Sequence, residues 1–324
     1  MNAVVINNDK NQYTRLILDN DIIEIEIIPE LGGKIFQLTQ KTTGVKYIHE
    51  PEIGLCNIPR PKYGDAFLPP YDFGFDDCFP TVSPSKYRLQ EQDIFFPDHG
   101  ELWSRPWEYD IQDDGIDFKI YGIHLRYRFK KKIILDKNKL TMHYSLRSLE
   151  TLPFHYIWSS HPLLVIEPDD EILVEDRIDD VFVNWASDDR YGRYGDMVPW
   201  PRQVVSGNNI DLSKVQTKDL SVAMKLFSGK LRKGCTGLYR RRVDNSIVFH
   251  FDERIIPYIG IWLCYGGWPE NYTDPAYTIA LEPASGRPDS LSEGIKRNEV
   301  SSIMPGEEKT WSLSVSIIDG KHLY

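Results

Sequence analysis

Hydrophobic and polar positions alternate with a period of two in run after run of this 324-residue chain. In "TWSLSVSII" (310–318), Trp311, Leu313, Val315 and Ile317 face one way and the serines the other. That is the pattern of a half-buried strand. Similar or β-branched runs recur at 22–28 (IIEIEII), 127–135 (YRFKKKIIL), 140–148 (LTMHYSLRS) and 221–229 (SVAMKLFSG). Others follow at 246–251 (SIVFHF), 258–265 (YIGIWLCY) and 277–283 (YTIALEP). Each is bounded by Gly, Pro, Asn or Asp, which turn geometry favours. No segment carries the periodicity of a long amphipathic helix, and "DSLSEGIKR" (289–297) offers one or two turns. Strands spread from end to end, without a linker, low-complexity tract or clear repeat, predict an all-β fold. The expectation is one large antiparallel β-sandwich domain over residues 1–324. The stretch from Glu50 to Gly100 is turn-rich, and loops of that length inside a compact domain are usually functional.

Composition narrows the function classes. The chain is 41% hydrophobic and 27% charged, as ordinary globular proteins are. Its eight tryptophans and eighteen tyrosines supply flat faces for sheet packing and for stacking on sugar rings. A net charge of −10 argues against nucleic acid, which needs a basic patch, and against anionic membrane surfaces. The one dense basic run, Arg240 to Arg242, reads as the solvated face of a strand. Cys56, Cys78, Cys235 and Cys264 form no C-x-x-C pair, so neither a zinc site nor a disulfide scaffold is expected. The first thirteen residues lack a basic n-region, and no apolar stretch approaches the ~20 residues of a membrane span. A cytoplasmic protein is expected.

Three stretches carry candidate chemistry. "PDHGELWSRPW" (97–107) concentrates His99, two acids, Arg105 and two tryptophans, too polar for a core strand and too aromatic for an idle loop. In "FHYIWSSHPLLVI" (154–166), His161 precedes Pro162, which holds it extended at a strand end, where a side chain can reach a cleft. Neither stretch supplies an H-x-H pair with a following glutamate, H-E-x-x-H is absent, and no G-x-S-x-G occurs. No metal and no cofactor are expected. In "LEPASGRPDSL" (281–291), Glu282 closes an apolar run before Pro283. A carboxylate there is partly desolvated and suited to act as a base.

Together, "DHGELW", "SSHPLL", "LEPASGRPDSL" and the closing "PGEEKTWSLSV", in this order, resemble the galactose mutarotase-like (aldose 1-epimerase) superfamily. "LGGKIFQL", "GFDDCFPTV" and "IWLCYGGWP" add to the likeness, which runs from about residue 20 to residue 318. The resemblance implies a β-sandwich that binds a sugar, with His161 as proton donor, Glu282 as base and His99 as a ligand to the bound sugar. Asp77 and Arg105 are expected as polar contacts and Trp262 as a stacking surface. The chain departs from the superfamily at "PDHGELW", where characterised galactose mutarotases carry an N-H-x-H-G-G-like stretch. The leading expectation is an isomerase that interconverts α and β anomers of a free or phosphorylated sugar, as monomer or homodimer. A non-catalytic carbohydrate-binding module is the alternative. A glycoside hydrolase, pairing Glu282 with Asp77 or Glu101, is a third reading.

Overall fold

The computed structural model describes residues 2–7, 13–175, 177–270 and 272–324. Of the N-terminal stretch read above for an export signal, residues 1 and 8–12 lie outside that set. The fold is all-β, a β-sandwich of large antiparallel sheets. The one α-helix among the described residues is Leu291–Arg297, within the segment expected to make one or two turns. All eight predicted strands are present, with ends within two residues of those expected. No helix among the described residues is long and apolar enough to cross a membrane.

The chain divides into two compact units, Met1–His161 with Ser285–Ser314, and Pro162–Ala284 with Val315–Tyr324. In the first, Thr14–Asp19, Ile23–Ile28, Lys34–Gln40 and Phe75–Cys78 pair in that order. A second set runs Glu108–Gln112, Gly115–Tyr121, Tyr127–Asp136 and Lys139–Ser148. Strict alternation puts Tyr127, Phe129, Lys131, Ile133 and Leu135 on the buried side of their strand. Around Phe129 the rings of Phe79, Trp107, Tyr144 and Trp311 meet at 5.5–6.0 Å.

The stretch from Glu50 to Gly100 is more structured than its turn residues suggest. It holds the short strand Phe75–Cys78 and a hairpin of Ser85–Leu89 with Gln92–Phe96. What remains irregular is mainly residues 50–54, residues 58–74 and the approach to His99, with a 3-10 turn at Leu55–Asn57.

In the second unit, Asp180–Ala186, Val222–Ser228, Tyr258–Tyr265 and Tyr277–Ala284 pair antiparallel in that order. Glu171–Leu173, Cys235–Arg240 and Asn245–Phe251 form another set. Every residue of Val222–Ser228 is buried, including Lys225. Of the basic run, Arg241 and Arg242 are exposed, as expected, though in the turn that follows strand Cys235–Arg240, whereas Arg240 is not. Arg240 is buried and pairs with Asp170 at 2.8 Å, and Arg242 pairs with Glu167 at 2.6 Å.

Candidate functional site

In the first unit, a left-handed kink delivers His99. Its φ is +58°, unusual for a residue with a side chain. Two backbone bonds hold the kink: His99 N–H to the Val82 carbonyl (2.6 Å) and Gly100 N–H to that of Pro97 (3.0 Å). Gly100 follows at φ +75°, where a Cβ would stand 2.0 Å from the Phe79 carbonyl oxygen. Only glycine fits there.

The kink lays the imidazole of His99 flat on Phe67, with centroids 4.2 Å apart and planes 18° apart. His161 meets the same two rings edge-on, at 4.8 Å from His99 and 5.3 Å from Phe67. Trp103 closes on Phe67 at 5.2 Å. Asp98 binds both halves of the stack. One carboxylate oxygen lies 3.0 Å from His99 Nδ1, and the other accepts the Phe67 N–H at 2.9 Å. Burial pushes the Asp98 carboxyl up, but the His99 ring and the Phe67 N–H outweigh it and hold the group below its ordinary value.

Beneath the rings lies a buried ion pair. Lys34 Nζ stands 2.8 Å from Asp76, 5.1 Å from the Phe67 centroid and 4.0 Å from that of Phe73. It also donates to the Phe73 carbonyl at 2.5 Å. Burial pushes the lysine down and the aspartate up, each opposed by its partner. A Cβ on Gly74 would come 2.5 Å from Lys34 Cδ, so the glycine makes room for this lysine.

Asp77 and Arg105 are engaged elsewhere. One Asp77 oxygen accepts from Lys131 Nζ (2.9 Å) and the other from Trp158 Nε1 (3.1 Å), with both partners of the ion pair at most 2% exposed. A carboxylate so occupied and buried braces the fold by holding Lys131 and Trp158. Arg105, half-buried, donates to the Tyr121 carbonyl at 2.8 Å. That bond ties it to the end of strand Gly115–Tyr121 and uses one of the five guanidinium N–H donors. Glu101 is fully buried and accepts the N–H groups of Ile123 and His124 and the hydroxyl of Tyr127.

In the second unit, Glu282 is fully buried on strand Tyr277–Ala284. Lys225 Nζ lies 2.5 Å from its carboxylate. The register explains the reach: Glu282 is opposite Gly260, and Lys225 is opposite Trp262, two residues further along the same strand and on the same face. A Cβ on Gly260 would sit 3.2 Å from Lys225 Cε and 3.3 Å from Glu282 Cβ, so the lysine crosses where a side chain is missing. Trp185 flanks Lys225 on its other side. Trp185 and Trp262 stack at 5.9 Å, and Trp268 meets both edge-on. All three tryptophans are half-buried.

With these features in view, solved structures give a fold-level match over nearly the whole chain. A galactose mutarotase-like protein from Lactobacillus casei superposes with a TM-score of 0.63 at 17% identity, covering 94% of this chain and 99% of its own. One from Clostridium acetobutylicum gives 0.67 at 13% identity, with 98% of each chain covered. A galactose mutarotase related enzyme from Lactobacillus acidophilus gives 0.66 at 14%, over 95% of this chain and 100% of that one. The chain has the galactose mutarotase-like fold. Separately, a family described as a domain of unknown function, DUF5107, matches residues 3–63.

Several residues of these clusters carry no clear mark in the amino-acid sequence. Phe67 lies in an irregular stretch whose packing no periodicity announces. Lys225 left a signal: a single charge inside the apolar run "VAMKLF" is a buried lysine that needs an anion. Lys34, in "GGKIF", is a case of the same kind.

Proposed function

We propose that this chain is an aldose 1-epimerase-like isomerase that interconverts the anomers of a sugar, with His161 as acid and Glu282 as base. The observation that carries the proposal is the ring cluster of His99, His161 and Phe67, in a fold shared with galactose mutarotase-like proteins. Two imidazoles held side by side, His99 on the face of Phe67 and His161 at its edge, suit the hydroxyl groups and ring oxygen of a sugar. In the proposed reaction, Glu282 takes the proton of the anomeric hydroxyl while His161 gives one to the ring oxygen. The ring opens, the C1–C2 bond turns, and reclosure with the reverse transfers yields the other anomer. Imidazole suits the acid because its ordinary pKa of about 6.5 lets it exchange protons near neutrality. Each positioned acid or base supplies roughly 10²–10⁴-fold.

One observation favours the second reading, a carbohydrate-binding module without turnover: Lys225 already occupies an oxygen of Glu282. The hydrolase reading loses support, because Asp77 and Glu101, its candidates for a second carboxylate, are both consumed inside the fold. The deciding experiment is anomer exchange observed by NMR on a panel of aldoses and their 6-phosphates. Wild type should accelerate exchange on at least one sugar, and Glu282→Gln should abolish it while leaving binding intact.

A further inference from the structure

The two oxygens of Asp98 do different jobs, and together they determine how His99 can meet a ligand. One accepts the backbone N–H of Phe67 (2.9 Å), and the other faces His99 Nδ1 at 3.0 Å. A carboxylate can only accept, so Nδ1 must carry the hydrogen in that contact. In neutral imidazole the remaining nitrogen, Nε2, is then a bare acceptor. The ring cannot swing away from this arrangement cheaply, because it is stacked on Phe67 and set by a backbone kink at φ +58°. Around it stand the charged or titratable side chains of Asp98, Asp76, Lys34 and His161.

We infer that Asp98 is a positioning residue that fixes His99 as the Nδ1–H tautomer, so that His99 offers Nε2 as an acceptor and selects a hydroxyl group on its ligand. A phosphate or carboxylate oxygen, which needs a donor, is disfavoured at that point. This inference rests on the proposed sugar site, and it names which chemical group of the sugar His99 receives.

The test is ¹⁵N NMR of histidine-labelled protein at pH 7.5, with His99 assigned by the signal lost in His99→Asn. Wild type should show a protonated, pyrrole-like Nδ1 and a bare, pyridine-like Nε2, both with and without saturating D-galactose or D-glucose. Asp98→Asn should invert the pattern. Its single carbonyl oxygen is claimed by the Phe67 N–H, which leaves the NH₂ to donate to Nδ1 and forces the hydrogen onto Nε2. For any aldose that is turned over, that variant should raise KM about tenfold with a smaller change in kcat, since one hydrogen bond is mismatched.

Wild-type signals with Nδ1 bare, or with both nitrogens protonated, would overturn the inference. So would an unchanged tautomer in a folded Asp98→Asn protein. If that variant does not fold, the wild-type spectrum alone decides. The nitrogen signals do not depend on turnover, so absence of anomer exchange would count against the isomerase proposal and leave this one standing or falling separately.

Discussion

Lys225 crosses the space left by Gly260 to hold the carboxylate of Glu282 at 2.5 Å, with both side chains out of solvent. Removing one partner of such a buried pair costs about 3–5 kcal/mol, whereas replacing both by uncharged groups costs far less than the sum. Lys225→Met should therefore lower the unfolding free energy by an amount in that range. The double variant Lys225→Met/Glu282→Gln should recover more than about 1 kcal/mol of it. Urea denaturation of the four proteins in the cycle reads this directly, and additive losses would show that the contact carries no coupling.

Asp77 is expected to act on stability and not on the ligand. Both of its oxygens are occupied, by Lys131 and Trp158. Asp77→Asn leaves Lys131 buried without its counter-ion and should cost about 3 kcal/mol. In the folded fraction, KM for the sugar should stay within twofold of wild type. An unaltered melting temperature with a raised KM would restore Asp77 to the ligand.

Much of the fold was legible in the chain, and the reasons are local. A period of two is imposed wherever one face of a strand is buried, so "TWSLSVSII" and "YRFKKKIIL" declared themselves. The apolar run ending in Glu282 did so as well. The catalytic and binding candidates were legible only through a likeness of motifs in order, because a histidine in a strand looks the same whatever it does. The partners of Asp77 were hidden for a physical reason: "FDDC" places two adjacent acids on opposite faces of a strand. Nothing local tells that Lys34 will meet one and Lys131 the other. Phe67 could not be found at all, since its place under His99 depends on a left-handed kink 32 residues away.

Stability should depend on pH through Asp72. Burial pushes its carboxyl up to about 6. Between the ordinary carboxylate value, near 4, and about 6, the folded chain thus holds a proton that the unfolded chain has released. The native state binds more protons there, so stability falls as pH rises through that window, by on the order of 3 kcal/mol from this group. Asp72→Asn should be more stable than wild type at pH 7 and should lose that advantage toward pH 4. The check is denaturant unfolding of both proteins across pH 4–7. A gap between them that stays constant with pH would contradict the assignment.

The account centres on proton transfer by Glu282 and His161, and two-dimensional exchange NMR of sugar anomers measures it most directly. Wild type should speed exchange of at least one aldose or aldose 6-phosphate far above the uncatalysed rate. Glu282→Gln and His161→Asn should each reduce that rate by two or more orders of magnitude with the sugar still bound, and the double variant should be little worse than either, because paired groups act as a unit. Near-normal exchange by Glu282→Gln on a sugar that wild type turns over would contradict the account.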